Sequence, residues 1–162
     1  MHTSLGELVK RPACYGDIAA LQACDSAYPE LVEWRAKDFK HCIRDEAMEC
    51  SIVEVGGIFA GYMVIETYVS SVEIWRLVVD RQLLRCQIGS CLVRGVCSRL
   101  MLPRKGVPKH GMRNVIVDVP EENLRAQLFF KSLGFRARLP IVRDDEFNLY
   151  RMVYEQFGGR FC

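Results

Sequence analysis

No hydrophobic run in this sequence approaches the ~20 residues that a membrane-spanning helix needs, and the polar N-terminus lacks the apolar segment of a signal peptide. Internal repeats, low-complexity tracts and long linkers rich in proline or glycine are also absent. Neither charge sign is in excess, because 22 Lys and Arg residues stand against 20 Asp and Glu residues. This balance gives no indication for or against a nucleic-acid partner. We expect a soluble, cytoplasmic protein that folds as one domain over residues 1–162.

The sequence has eight cysteines but no Cys-x-x-Cys pair, which argues against a zinc site and against a disulfide framework. The cysteines lie at positions 14, 24, 42, 50, 86, 91, 97 and 162. Most of them stand in apolar stretches, where cysteine behaves as a small hydrophobic residue. A zinc site that used His41, Cys42 and Cys50 would need further ligands from distant parts of the chain. We therefore expect reduced structural thiols and no bound metal.

Hydrophobic periodicity predicts a mixed α/β fold in the order strand, helices, an antiparallel meander, and then alternating strands and helices. The predicted strands are Leu8–Pro12, Cys50–Val55, Ile58–Tyr68, Val72–Val79, Val115–Val119, Phe135–Leu139 and Leu149–Tyr154. The predicted helices begin at Ile18 after an Asp17 cap, at Pro29 (reaching about Arg44), at Ile88 (reaching about Leu102) and at Glu122 (reaching Leu133). Gly56-Gly57 is a typical two-residue hairpin turn.

The segment with the most chemical information is the passage from the strand end Val78-Val79-Asp80 to the helix that begins near Ile88. A helix N-terminus presents unpaired backbone N–H groups and about half a positive charge, which together suit a pyrophosphate. Gly89 would let the backbone and a ligand approach closely. The alternative is an ordinary strand–loop–helix connection with a glycine near the helix start.

Two motifs in the expected order make this segment more specific. The run Arg85-Cys86-Gln87-Ile88-Gly89-Ser90 resembles the acetyl-CoA-binding motif of the GNAT N-acetyltransferase superfamily in its G-x-G/A part, with Gln87 in place of the first glycine and Gly89 at the second. The run from Asn123 to Phe135 resembles that superfamily's second signature, N-x-x-A-x-x-[LF]-[YF]-x-x-x-G-F. The resemblance is to the type that acetylates the N-terminal alanine of a ribosomal protein. It implies a GNAT-like, mostly antiparallel sheet of six to seven strands with about four helices.

The resemblance also implies roles for individual residues. Backbone groups of Leu77, Val78 and Val79 would pair with the pantetheine arm and thioester of acetyl-CoA. The loop residues Arg85, Cys86, Gln87, Ile88, Gly89 and Ser90 would wrap the pyrophosphate. Asn123 would face the pantetheine and Phe130 would lie beside the thiol. The alternatives are that Phe130 simply packs in the core and that Arg85 is simply solvated.

Two residues depart from the superfamily pattern. Gln87 restricts the backbone if its position needs a positive φ, although N–H groups would still do the binding. Many relatives have a tyrosine where this chain has Phe130, and a phenylalanine cannot protonate the leaving thiolate. The proton would then come from Tyr150, Tyr154 or water, or the thiolate would leave unassisted.

Asp118 is the candidate general base. It is the one acid in the apolar strand Val115–Val119, and alternation places it on the face opposite the valines. A partly desolvated carboxylate there suits proton abstraction from an amine, and the resemblance puts an acid at the same position. The alternative is that Asp118 bonds backbone or Arg113. Glu73 is the second candidate.

These residues predict direct attack of a primary amine on the thioester in a ternary complex, with backbone N–H groups near Val78 stabilising the oxyanion. The acceptor is either a protein N-terminus or a small amine, and the protein is a monomer or a homodimer. A degenerate acyl-CoA-binding module without catalysis is the alternative. Tyr62 and Tyr68 either line an acceptor groove or pack. A basic loop, solvated or directed to a ribose phosphate or a nucleic acid, contains Arg104, Lys105, Lys109, His110 and Arg113.

Overall fold

The computed structural model describes residues 2–3, 6–101, 114–143 and 148–155 of the protein. Within these ranges the strands are β1 (His2–Thr3), β2 (Gly6–Pro12), β3 (Met48–Val55), β4 (Ile58–Thr67), β5 (Ser71–Val79), β6 (Asn114–Pro120), β7 (Arg136–Arg143) and β8 (Asn148–Glu155). The helices are α1 (Ile18–Ser26), α2 (Ala36–Arg44), α3 (Ile88–Ser98) and α4 (Leu124–Ser132). Seven strands have seven or more residues, so the predicted mixed α/β class with a mostly antiparallel sheet and four helices is confirmed.

The chain divides into two compact units. The first unit comprises Met1–Glu66 and Ile74–Leu92, and the second comprises Thr67–Glu73 and Val93–Cys162. In the first unit β1, β2, β3, β4 and β5 are neighbours in that order. In the second unit β8 lies between β6 and β7 and pairs antiparallel with each of them.

A glycine hairpin and a bulge shape the first unit. Gly56 and Gly57 both have positive φ (59° and 79°), as the predicted two-residue turn between β3 and β4 requires. Further along β4 the register slips, because Val53 pairs with Gly61 while Glu54 pairs with Phe59, which leaves Ala60 as the extra residue of a bulge. A Cβ on Gly61 would lie 2.2 Å from the Val78 carbonyl oxygen. Only glycine therefore lets β4 approach the end of β5 so closely.

A buried ion pair lies inside the first unit. Asp25 and Arg76 are 2% and 9% exposed, and two Nη2–carboxylate distances of 2.7 Å and one Nε contact of 2.9 Å join them. The hydroxyl of the fully buried Tyr62 also donates to Asp25. Arg76 donates in addition to the Val32 carbonyl, and its guanidinium lies 4.9 Å from the ring centroid of Trp34. Among the described residues no buried side-chain nitrogen or oxygen lacks a hydrogen-bond partner, so this cluster is paired within the protein.

The second helix begins later than the sequence pattern predicts. The expected start was Pro29, whereas α2 begins at Ala36. The intervening backbone makes other bonds, because the Trp34 N–H donates to Asp25 and the Val32 carbonyl accepts from Arg76. The Arg35 N–H then donates to the Asp38 carboxylate at 2.8 Å, which caps the helix start.

Asp17 occupies the N-cap position of α1, but its side chain does not cap this helix. Its carboxylate instead accepts from the Cys14 N–H at 2.8 Å and from both terminal nitrogens of Arg11 at 2.8 and 2.9 Å. These bonds hold the pKa of Asp17 well below its usual range, with the Arg11 bond the largest cause. The prediction that the Asp17 side chain caps α1 is therefore wrong, because Arg11 on β2 and the Cys14 N–H occupy its carboxylate oxygens.

The cysteines of the described residues are free thiols, as predicted. Cys24, Cys42, Cys50 and Cys97 are buried. Burial raises the pKa of Cys24 and Cys50 to about 12 and that of Cys42 and Cys97 to about 11. These four side chains are therefore protonated core residues at neutral pH and poor nucleophiles.

The buried thiols predict a loss of stability at alkaline pH. Unfolded thiols lose their protons near the ordinary pKa of 9.0, whereas the folded ones keep theirs up to about 11 to 12. The unfolded state then binds fewer protons, so the free energy of unfolding falls by about 1.4 kcal/mol per pH unit and per thiol. Urea unfolding between pH 7 and 10.5 measures this slope. Cys97→Ala should reduce the slope and Cys14→Ala, at an exposed position, should not; equal slopes in all three proteins would contradict the account.

Candidate functional site

The passage from β5 to α3 is a sequence of tight turns in the first unit. At the end of β5 the Asp80 N–H donates to the Ala60 carbonyl at 2.8 Å. The Asp80 carboxylate accepts from the Gln82 N–H, and the Asp80 carbonyl accepts from the Leu83 N–H at 2.9 Å. The Leu83 carbonyl in turn accepts from the Cys86 N–H at 3.4 Å. These bonds fix the loop around a 3-10 turn at Arg81–Leu83.

The loop reaches α3 through two left-handed residues. Arg85 has a φ of 66° and Gln87 a φ of 63°, and both side chains are exposed. The residue after them, Ile88, is 1% exposed and anchors the first turn of α3 in the core. Successive backbone reversals of this kind turn neighbouring N–H groups towards a common point, which is a property of anion-binding loops.

The first turn of α3 supplies the backbone donors. The first bond that closes the helix runs from the Cys91 N–H to the Gln87 carbonyl at 2.9 Å. The N–H groups of Ile88, Gly89 and Ser90 therefore precede the intrahelical ladder and lie at the positive end of the helix dipole. This is the arrangement that the sequence predicted for a pyrophosphate. The Cys86 N–H, by contrast, is used within the loop.

The backbone of Gln87 is strained at this position. A left-handed backbone costs a residue with a side chain about 1–2 kcal/mol, which glycine avoids. The sequence analysis predicts that Gln87 restricts the backbone if its position needs a positive φ. Gln87 does have a positive φ in the structure. The loop thus holds a glutamine in a backbone conformation that favours glycine.

At the end of β5, one of the backbone groups predicted to meet the pantetheine, the Val79 carbonyl, has a side-chain partner. The Tyr28 hydroxyl donates to the Val79 carbonyl oxygen at 2.6 Å. Val78 is 3% exposed, and Leu77 and Val79 are half-buried. Tyr28 belongs to the segment between α1 and α2 and was not identified from the sequence, because 51 positions separate it from Val79.

Two of the predicted cofactor residues lie in the second unit and have structural roles there. The Asn123 side-chain oxygen accepts from the Ala126 N–H at 3.0 Å and caps α4. Phe130 is 5% exposed and packs edge-on against Phe129 and Phe135, with ring centroids 5.1 Å apart in each pair. Phe130 thus makes the core contacts that its helical spacing predicts.

Asp118, the candidate base, also lies in the second unit. It stands on the face of β6 opposite the buried Val117 and Val119, as alternation predicts. Its two oxygens accept from Arg151 Nε at 2.9 Å and Nη2 at 2.7 Å. The same Nη2 lies 3.8 Å from a Glu73 oxygen, so one guanidinium joins both acids that the sequence singled out. The Asp118 bond is the main reason why the pKa of Arg151 is raised.

The tyrosines considered from the sequence separate into different environments. Tyr62 is fully buried with its hydroxyl on Asp25, so the packing interpretation holds for it. Tyr68 lies beyond β4 and is 43% exposed. The Tyr150 hydroxyl is 3.4 Å from a Glu121 oxygen, and the Tyr154 ring lies 5.6 Å from that of Phe135.

Other kinds of site find no support among the described residues. They contain no group of three or more His, Cys, Asp or Glu side chains that could hold a metal ion. No helix in the described ranges is long and apolar enough to cross a membrane. The predicted basic loop from Arg104 to Arg113 lies outside the described residues.

Comparisons with known proteins give a family match and similar folds. The family model for the acetyltransferase (GNAT) family matches residues 16–135. The fold is similar to that of the ribosomal-protein-S18-alanine N-acetyltransferase from Escherichia coli (TM-score 0.68, 16% identity, 96% of this chain and 99% of that one). It is also similar to Arabidopsis thaliana NAA60 in complex with acetyl-CoA (TM-score 0.71, 16% identity, 92% and 98%) and to a mutant of the spermidine N-acetyltransferase SpeG from Vibrio cholerae (0.69, 14%, 92% and 94%). No curated protein sequence is a significant match.

Relief of the strain at Gln87 should stabilise the protein. Gln87→Gly is expected to raise the free energy of unfolding by about 0.5–1 kcal/mol, because the strain removed exceeds the extra backbone entropy of glycine. Gln82→Gly is the matched control, since Gln82 is exposed in the same loop but lies in a 3-10 turn without a positive φ. That change should lower stability. Chemical denaturation measures both, and equal destabilisation by the two changes would contradict the strain assignment.

Proposed function

The chain belongs to the acetyltransferase (GNAT) family, and from that premise we propose that it transfers the acetyl group of acetyl-CoA to a primary amine by direct attack in a ternary complex. The observation that supports this proposal most strongly is the turn from β5 into α3. It presents the N–H groups of Ile88, Gly89 and Ser90 at a helix N-terminus after two left-handed residues. The family model extends from residue 16 to residue 135, and we propose one acetyltransferase domain over residues 1–162.

We assign acetyl-CoA to the loop by the chemistry of its groups. The pyrophosphate would accept from the three N–H groups at the start of α3, with Arg85 as an exposed cation beside them. The loop backbone of Cys86 and Gln87 supports this cradle. The pantetheine amides would pair with backbone groups of Leu77, Val78 and Val79. A carbonyl oxygen has two lone pairs, so Val79 can accept from a ligand in addition to Tyr28.

Asp118 is the proposed general base. Each of its oxygens accepts one bond from Arg151, and a carboxylate has about four acceptor sites in all. One position on each oxygen is therefore left for the amine or for a bridging water. Arg151 keeps the carboxylate in one orientation, which favours a fixed geometry for proton transfer. The acceptor gives a proton to Asp118, directly or through the water, and the neutral amine then attacks the thioester carbonyl.

The leaving group departs without a tyrosine at position 130. Phe130 has no proton to give, so CoA leaves as the thiolate and takes its proton from water or from another hydroxyl. Backbone N–H groups near Val78 would stabilise the oxyanion of the tetrahedral intermediate. The family resemblance also assigns Asn123 to the pantetheine and Phe130 to the thiol. Asn123 caps α4, and Phe130 packs against Phe129 and Phe135.

The acceptor is a primary amine, either a protein N-terminus or a small amine. The similar structures include one enzyme named for a ribosomal protein alanine and one named for spermidine. The Asp118–Arg151–Glu73 group carries two negative charges and one positive charge, which favours an acceptor that arrives as an ammonium ion.

A reducing cytoplasmic location agrees with the free cysteines.

Replacement of the proposed base tests this function. Asp118→Asn should lower kcat by about 100-fold or more, leave acetyl-CoA binding near that of the wild type, and change the pH–rate profile. The measurement is thiol release from acetyl-CoA with a panel of N-terminal peptides and polyamines. The control is Asp17→Asn, because Asp17 forms a similar two-bond ion pair with Arg11 in the first unit.

Two results would contradict the proposal. A wild-type rate and profile in Asp118→Asn would reject the base. Acetyl-CoA binding by the wild type without thiol release for any amine would reject catalysis and favour the non-catalytic binding module.

A further inference from the structure

Tyr28 makes two contacts at the point where the chain leaves β5 for the proposed cofactor loop. Its hydroxyl donates to the Val79 carbonyl oxygen at 2.6 Å. Its ring lies under the guanidinium of Arg81, whose central carbon is 4.9 Å from the ring centroid. One side chain thus contacts the last residue of β5 and the first residue of the following turn. Both contacts lie within the first unit.

The buried ion pair holds the segment from which Tyr28 extends. Asp25 stands three residues before Tyr28, and the Tyr28 N–H donates to the Asp25 carbonyl at 3.0 Å. Arg76 on β5 binds the Asp25 carboxylate and the Val32 carbonyl, which lie on either side of Tyr28 in the chain. The backbone is therefore held on both sides of Tyr28, independently of the bond from Tyr28 to Val79. Such a setting costs little entropy when the hydroxyl makes its bond.

The contacts of Tyr28 continue into the loop through the hydrogen-bonded turns. Val79 leads to Asp80, whose carbonyl accepts from the Leu83 N–H, and the Leu83 carbonyl accepts from the Cys86 N–H. Cys86 lies between the two left-handed residues, Arg85 and Gln87. A displacement of Val79 or Arg81 would therefore be transmitted to the strained part of the loop.

Strained backbone conformations persist only where the surroundings enforce them. Arg85 and Gln87 have exposed side chains, so they obtain little enforcement from their own packing. The left-handed conformations are therefore held by the hydrogen-bonded turns of the loop and by its two anchored ends. Ile88 anchors the α3 end in the core, and Tyr28 contacts the β5 end.

We propose that Tyr28 is a positioning residue for acetyl-CoA, which holds the β5–α3 loop in its binding conformation through the Val79 carbonyl and the Arg81 side chain. This inference rests on the proposed function, because it assumes that the loop binds the cofactor. If only a fraction of molecules has the competent loop, the apparent affinity falls by that fraction. Tyr28 keeps that fraction high and acts on cofactor affinity rather than on the chemical step.

Removal of the hydroxyl alone is the first test. Tyr28→Phe keeps the ring under Arg81 and should weaken acetyl-CoA binding by up to about tenfold, the range of one lost hydrogen bond. The rise should be seen in the Kd from calorimetry and in KM, while kcat at saturating acetyl-CoA stays at the wild-type value. Tyr15→Phe is the control, since Tyr15 lies in the same unit and is 53% exposed. That variant should bind as the wild type does.

A second substitution separates loop positioning from general destabilisation. Gln87→Gly lowers the strain that Tyr28 is needed to contain, so adding it to Tyr28→Phe should restore most of the lost affinity. If the role of Tyr28 were merely structural, Tyr28→Phe would lower the melting temperature, and Gln87→Gly would restore no acetyl-CoA affinity. The double-mutant cycle for the two positions should therefore show coupling in the Kd.

Four outcomes are informative. An unchanged Kd in Tyr28→Phe would overturn the inference, and so would a weakened Kd that Gln87→Gly does not improve. A wild-type protein that does not bind acetyl-CoA at all would instead overturn the proposed function. Weakened binding with recovery and an unchanged kcat supports the positioning role.

Discussion

The buried ion pair between Asp25 and Arg76 is the constraint on which the first unit depends. Removing two charges from water costs several kcal/mol for each ion, and the pair offsets this cost only because its buried polar atoms have partners. Tyr62, the Trp34 backbone and the Val32 carbonyl provide those partners. The ion pair matters more for geometry than for stability, since a protein with well-packed hydrophobic residues in its place is often equally stable. It fixes residues 25–34 against β4 and β5, and no helix forms until Ala36.

The proposed cofactor loop depends on this constraint through a short series of contacts. The fixed segment carries Tyr28, Tyr28 contacts Val79 and Arg81, and the turns that follow lead to the left-handed residue Gln87. Gly61 contributes from the other side, because its missing side chain lets β4 approach the Val78 carbonyl. The helix donors are thus positioned by packing in the core and not by the loop sequence alone. This explains how a glutamine can occupy a position that favours glycine.

Local patterns predicted the elements and the loop, and long-range contacts account for the rest. Gly56-Gly57, the start of α3 at Ile88 and the outward face of Asp118 all follow from neighbouring residues. The start of the second helix was wrong because Arg76, more than 40 positions away, takes a carbonyl that a helix would use. The partner of Asp118 was equally hidden, since Arg151 becomes adjacent only when β6 pairs with β8. A sequence shows which groups need partners, but a tertiary fold decides which partners they obtain.

The central claim is that backbone N–H groups at the start of α3 bind the pyrophosphate of acetyl-CoA. Calorimetric titration of the purified protein with acetyl-CoA, and with CoA as the companion ligand, tests it most directly. Gly89→Glu adds bulk and a negative charge beside those groups, and Ser98→Glu adds the same charge at an exposed position near the other end of α3. The account predicts micromolar binding of both ligands by the wild type and by Ser98→Glu, and no binding by Gly89→Glu. No binding by the wild type up to millimolar cofactor, or an unchanged affinity in Gly89→Glu, would contradict it.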